Sequence, residues 1–221
     1  MKRLFDILVA GLGLLLVTPV LAVVAVCVKL TSPGPVLFCQ ERMGCHFRPF
    51  TIYKFRTMVA DAPRKGRPIT SGDDPRITSV GRILRRIKLD ELPQLVNVLI
   101  GDMSLVGPRP QLRRYVELFH KDYAYILRIR PGITDLASIK FRNESRLLGQ
   151  AADPEKEYVC RVLPEKIRMA KFYVRRSSLG LDLSIIIQTC LKLAGDCAAN
   201  IWKRNRSRYG LDDYNKASTT Y

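Results

Sequence analysis

From Ile7 to Val28 the chain reads ILVAGLGLLLVTPVLAVVAVCV, 22 residues without a charge. At about 1.5 Å of rise per residue, a helix of that length crosses the hydrocarbon core of a bilayer. No other stretch restricts the architecture as much, because every backbone amide inside lipid must find an internal partner. Lys2, Arg3 and Asp6 precede the segment and Lys29 follows it. A cleaved signal peptide has a shorter apolar core and a small-residue cleavage site, so the segment is expected to be retained. Thr18-Pro19 lies in its middle. Proline removes one intrahelical donor and crowds the preceding turn, which predicts a kink there. Two arrangements follow: a single kinked span, which helix physics alone favours, or a helix that bends back and leaves on the side it entered. Basic residues at both ends suit the second, since both ends would then lie on the cytoplasmic side.

The remainder carries much positive charge. The 221-residue chain has 37 Lys+Arg against 20 Asp+Glu, a net charge of +17, which calls for an anionic partner: nucleic acid, acidic headgroups or a phosphorylated substrate. Cys27, Cys39, Cys45, Cys160, Cys190 and Cys197 form no CxxC pair, and His46 and His120 stand far apart. A zinc site is not expected, and the thiols read as small buried hydrophobes in a reducing compartment.

After the turn chemistry of TSPGP, residues 36–40 predict a short strand and FRPFTIYKFRTM its hairpin partner. Residues 60–76 are loop-like in composition. A helix resumes near Ser79, where Val80, Ile83, Leu84 and Ile87 make an apolar stripe among Arg82, Arg85, Arg86 and Lys88; it suits either a headgroup surface or plain solvent. A long helix is expected from Pro110 to about Ile129, then a turn at RPGIT and a strand at LASIKF. Asp153-Pro154 should open another helix, and Leu181 to Trp202 reads as a further one, whose Lys192 and Asp196 argue against a second membrane span. The polar, basic stretch from Lys203 is expected to be disordered.

Between these lies KLDELPQLVNVLIGDMSLVGPRP. Leu92, Leu95, Val96, Leu99 and Ile100 recur at helical spacing, so Asp90 can be an N-cap, with Glu91 favourable in the first turn and Pro93 tolerated there. That reading needs no catalysis. Its neighbours argue for more: Arg85 precedes the pair, Lys54 and Arg56 lie in the hairpin, and Arg109 is stiffened between two prolines, which reduces the entropy lost when its planar fork grips a phosphate. Adjacent helical residues point about 100° apart, so the two acids suit separate roles, one as nucleophile or metal ligand and the other handling a proton.

KRLFDILVAGLGLLLVTPVL, QERMG, YKFRTM, LDELPQLVNVLIGDMSLVGPRP and RPGIT, in that order over residues 2–134, together resemble the bacterial sugar transferases that are monotopic polyprenyl-phosphate phosphoglycosyl transferases. The resemblance implies transfer of a sugar-1-phosphate from a nucleotide sugar, usually a UDP-sugar, to polyprenyl (undecaprenyl) phosphate, with release of UMP, on the cytosolic face of the bacterial inner membrane. It implies a re-entrant helix broken at Thr18-Pro19, against the preference of the residues alone. It also implies Asp90 as the nucleophile that forms an aspartyl-phosphosugar and as the contact for Mg2+, with Glu91 as proton acceptor for the second substrate. Arg85 and Arg109 match basic positions of its motifs and are the first choices as phosphate ligands, ahead of Lys54, Arg56 and Arg130. The likeness thins after Thr134, where Asp135-Leu136 replace the common Gly-Trp.

The expected fold is a mostly helical α/β domain with a small sheet and amphipathic interfacial helices. Residues 1–30 form the membrane helix, 31–202 a membrane-associated catalytic domain facing the cytosol, and 203–221 a tail. Anionic inner-membrane lipid is an expected partner. The competing reading is a non-catalytic basic membrane-surface adaptor, with Asp90 and Glu91 as a cap. Nucleic-acid binding is disfavoured by the apolar segment and by the lack of aromatics interleaved along a basic strand.

Overall fold

A computed structural model describes residues 1–62 and 74–195. It is mostly helical, with two small two-stranded sheets. Helix α1 (Lys2–Thr31) is long and apolar enough to cross a membrane. It runs uninterrupted across Thr18-Pro19, so the expected break is not seen. The Thr18 hydroxyl donates to the Leu14 carbonyl at 2.6 Å, a bond back along the same helix.

One face of α1 packs on the domain and the other is bare. Asp6, Ala10, Val24 and Val28 are buried, while Leu4, Leu8, Leu12, Leu15, Leu16 and Val23 are 60–72% exposed. Both ends are fastened to the same body. Lys2 Nζ reaches Asp182 Oδ2 at 2.5 Å and the Val106 carbonyl at 3.1 Å, and Asp6 accepts from Ser104 Oγ at 2.8 Å and from the Leu105 amide at 3.2 Å. Near the other end, Val24 and Val28 pack with Phe55 and Leu84.

Strands β1 (Leu37–Met43) and β2 (Pro49–Phe55) form the expected antiparallel hairpin, with Leu37 opposite Phe55 and Met43 opposite Pro49. Helix α2 (Ser79–Ile87) begins at Thr78, whose side chain accepts from the Gly81 amide. Its stripe splits: Leu84 is buried, but Ile83 and Ile87 are exposed. Helix α3 (Gln94–Ile100) likewise turns Leu95, Asn97 and Val98 inward and leaves Val96 and Ile100 outside, a face rotated from the one its spacing suggested. Asn97 accounts for the rotation. Its side chain accepts from the Tyr53 amide at 3.1 Å and donates to the Thr51 carbonyl at 2.7 Å, riveting α3 to β2.

Several expectations downstream are corrected. RPGIT is not a turn: β4 (Gly132–Thr134) pairs in parallel with β3 (Ser104–Val106). The long helix after Pro110 is two short ones, α4 (Arg113–Leu118) and α5 (His120–Ile126), divided at Phe119, whose φ of −117° and ψ of 41° leave the helical region. LASIKF is not a strand but α6 (Leu136–Lys140), because the Asp135 side chain accepts from the Ser138 amide and caps it. Helix α7 (Glu144–Gly149) precedes α8 (Pro154–Glu157), which begins at Asp153-Pro154 as expected. A π-helical turn, Tyr158–Val162, leads into α9 (Leu163–Arg176), and α10 (Leu179–Ala194) follows. The end expected at Trp202, Cys197 and the tail from Lys203 lie outside the described residues, as does most of the 60–76 loop. The described cysteines are free but not buried: Cys27, Cys39, Cys160 and Cys190 are exposed.

Candidate active site

The acidic pair does not cap a helix. Lys88 ends α2 in the left-handed region, with φ 61° and ψ 19°, and the chain then makes one 3-10 turn, Leu89–Glu91, before α3. That reversal turns both carboxylates inward, where Asp90 is 7% and Glu91 8% exposed. Neither makes a side-chain cap bond to its own turn, and α3 begins only at Gln94.

Glu91 is gripped from two sides. Arg109 donates from both terminal nitrogens, Nη1 to Oε2 at 3.1 Å and Nη2 to Oε1, while Lys54 Nζ lies 2.9 Å from Oε1. Asp90 is different: its Oδ1 is enclosed and has no hydrogen-bond partner. Burial, reinforced by the adjacent Glu91 charge, pushes the Asp90 carboxyl above the usual carboxylate range. Burial also opposes the charge on Glu91, yet Arg109 and Lys54 outweigh it and hold Glu91 well below that range. Desolvation brings Lys54 down to about 8 despite its acidic partner.

Arg109 is placed by backbone contacts. A Cβ on Gly132 would lie 2.0 Å from the Gly107 amide nitrogen, and one on Gly107 2.6 Å from the Arg130 carbonyl oxygen. Only glycines allow the GPRP and RPGIT segments to come this close. Asp135 completes the hold, its Oδ2 accepting from the Arg109 amide at 3.1 Å and its Oδ1 from the Ser138 amide at 2.6 Å. Arg85 is steadied by Thr57, Nε to Oγ1 at 2.8 Å.

Asp90, Glu91, Lys54, Arg56, Arg85 and Arg109 all line one cleft of about 1670 Å³. Arg56 is committed to structure: it is 6% exposed and donates to the Ser32 and Pro33 carbonyls at 2.7 and 2.9 Å, tying the chain after α1 to β2. Arg130 is not brought to this cleft. It lines a second one, near Met1 and Arg48, and its Nε donates to the Gly101 carbonyl at 2.7 Å.

Among the basic residues of the cleft that went unselected in the sequence are Arg42, Lys88 and Lys166. Arg42 has an enclosed Nε without a partner, and burial together with the nearby Arg109 brings it down to about 10. Its place in QERMG, on the hairpin strand next to the one that carries Lys54, was the available signal. Lys88 was hidden by its helical spacing.

No group of three or more His, Cys, Asp or Glu side chains gathers among the described residues. A magnesium ion nonetheless fits the free Asp90 oxygen, because Mg2+ commonly takes one or two carboxylates and completes its shell with substrate phosphates and water.

Comparison with known proteins adds the following. Residues 1–196 match the family described as bacterial sugar transferase. The chain is 40% identical over 191 residues to the UDP-N-acetylgalactosamine-undecaprenyl-phosphate N-acetylgalactosaminephosphotransferase of Aeromonas hydrophila, covering 85% of this chain and 42% of that protein. It is 40% identical over 196 residues to the UDP-glucose:undecaprenyl-phosphate glucose-1-phosphate transferase of Escherichia coli K12, covering 87% and 40% respectively. With the uncharacterized sugar transferase EpsL of Bacillus subtilis it shares 41% identity over 194 residues, 87% of each chain. The chain thus spans less than half of the first two proteins and most of the third.

Proposed function

The chain belongs to the bacterial sugar transferase family, and from that membership we propose that it transfers a sugar-1-phosphate from a UDP-sugar to undecaprenyl phosphate. The observation that carries the reading is the enclosed, unpartnered Asp90 oxygen in a cleft whose other ionisable groups are mainly cationic. A helix cap has no use for such an oxygen, which weighs against the adaptor reading.

In the proposed scheme an Asp90 oxygen attacks the sugar-bearing phosphorus of the donor. The bond from that phosphorus to the bridging oxygen breaks, and UMP leaves with the bridging oxygen. An oxygen of undecaprenyl phosphate then attacks the same phosphorus, frees the Asp90 carboxylate and gives the lipid diphosphate sugar. Attack by one anion on another is opposed by charge, so stabilisation by fixed cations dominates this chemistry. That Arg85 and Arg109 line the cleft supports them as those cations, with Lys54 and Lys88 near the acids. Mg2+, when bound, would neutralise diphosphate charge beside Asp90.

Glu91 fits a positioning role better than a basic one. A carboxylate held by Arg109 and Lys54 is a weak proton acceptor, and a phosphate monoester with a second pKa of about 6 has little proton left to give at neutral pH. We assign Glu91 to hold Arg109 and Lys54 in place until the diphosphate takes up part of their charge.

The lipid acceptor fits the outer surface. The bare stripe of α1, with Ile83 and Ile87 of α2 and Val96 and Ile100 of α3, supplies apolar groups suited to acyl chains. Docking of both ends of α1 on one domain supports an α1 that lies in the cytosolic leaflet with both ends on the cytosolic side. The test is UMP release from UDP-sugars with Mg2+ and undecaprenyl phosphate. Acceptor-dependent release supports the reading, and no release from any donor by folded protein contradicts it.

A further inference from the structure

Beyond Asp90 and Arg109, the same cleft continues along groups for which phosphoryl transfer has no task. Glu144 opens α7 and Lys166 lies on α9. Their Oε2 and Nζ are 2.5 Å apart, with side chains 27% and 10% exposed. Desolvating two such ions costs several kcal/mol each, and their mutual attraction offsets this only when the remaining valences are also satisfied. Here the bond takes one donor of Lys166 and one oxygen of Glu144 and leaves the others open to the cleft. Desolvation holds the Lys166 ammonium below its usual range despite the opposing pull of Glu144. Ser138 Oγ, on the same cleft, is enclosed and has no partner at all.

The walls are aromatic. Lys166 Nζ stands 5.0 Å from the Tyr158 ring centroid and 5.9 Å from that of Phe141. Tyr158 is fixed from behind by its hydroxyl, which donates to Gln111 Oε1 at 3.0 Å, and it opens the π-helical turn. Single wide turns of this type recur at functional sites. The charges of Glu144 and Lys166 are both felt at Arg109, so the group of residues adjoins the transfer site.

Resting on the donor reading above, we propose that Glu144, Lys166 and Ser138, walled by Phe141 and Tyr158, form the subsite for the sugar ring of the donor. Neighbouring hydroxyls of a sugar each donate and accept, which suits an acceptor-only carboxylate beside a donor-only ammonium and a hydroxyl that does both. The C–H face of a sugar ring suits an aromatic wall. A phosphate does not fit there, because Glu144 would repel it. Specificity follows, since a site that hydrogen-bonds a substrate hydroxyl strongly rejects an analogue lacking it.

The test measures kcat/KM on a panel of UDP-sugars with undecaprenyl phosphate, together with inhibition by UMP. It compares the full chain with Glu144→Gln and with Ser138→Ala, which removes an atom that has no partner in the structure and so leaves folding intact. We expect Glu144→Gln to lower kcat/KM for the preferred donor by about 10- to 100-fold and to flatten the ranking among sugars, with UMP inhibition unchanged within about twofold. Ser138→Ala should give a smaller loss of the same pattern, about fivefold. An equal loss for every donor with weakened UMP inhibition, or no change in either variant, overturns the subsite. An unmutated protein that turns over no donor overturns the donor reading itself, and the subsite with it.

Discussion

At the residue scale, the two adjacent acids differ in everything but position. Asp90 has an enclosed oxygen without a partner, and Glu91 is held by two cations. Asp90→Asn removes a buried charge, so we expect it to abolish turnover while leaving the melting temperature equal or raised by a few degrees, at about 2–4 °C per kcal/mol for a chain of this size. Circular dichroism melts beside the activity assay check this. Glu91→Gln should act oppositely on stability, because breaking a buried pair costs about 3–5 kcal/mol. The pH dependences have opposite signs. With its folded pKa lowered, Glu91 contributes stability that is present above the ordinary carboxylate pKa and is lost as pH falls toward the depressed value. With its folded pKa raised, Asp90 favours the folded state below the ordinary value and loses that contribution as pH rises through the raised one. Activity that needs ionised Asp90 therefore falls on the acid side at a pH above the usual carboxylate range. Glu91→Gln removes a neighbouring negative charge and should move that limb to lower pH, which a kcat/KM profile will show. The pair was legible in the sequence as chemistry or as a cap. What turns the pair inward and argues against the cap, the left-handed Lys88, was not legible, since nothing local marks a lysine for positive φ.

At the element scale, two glycines bring separate segments together. Gly107 and Gly132 let the PRP loop lie against β4, and Arg109 reaches Glu91 as a result. Gly132→Ala would force a Cβ to within 2.0 Å of the Gly107 nitrogen. We expect a loss of about 3 kcal/mol, at the upper end for overpacking, and a larger fall in activity than Arg109→Lys gives, measured by denaturant unfolding and turnover. Local pattern located the hairpin, α2 and α8, because turn residues and caps act over a few positions. It missed β4 and α6 for a physical reason. Three-residue β4 is a strand only because β3 lies beside it, and in α6 the cap on Asp135 overrides the β-leaning look of LASIKF.

At the scale of the whole molecule, the apolar segment does not stand apart from the domain. Lys2 at one end and Val28 near the other are both docked, and only the outward face is bare. We expect epitopes placed before Met1 and within the domain to be reached from the same, cytosolic side in sealed vesicles of opposite orientation. Exposure of the two on opposite sides would contradict an α1 with both ends on the cytosolic side. The length of the segment and its lack of charge pointed to association with a membrane. Its face-by-face docking could not be read there, because an almost wholly apolar helix shows no periodicity to distinguish protein from lipid.

The most direct test of Asp90 as the nucleophile is the intact mass of the protein after brief incubation with its UDP-sugar and Mg2+, without lipid acceptor, followed by an acid quench. The account predicts a mass increase equal to one sugar phosphate, mapping to the peptide that contains Asp90, absent in Asp90→Asn and discharged when undecaprenyl phosphate is added. Full turnover by Asp90→Asn, or transfer that proceeds with no adduct at any time point, would contradict it.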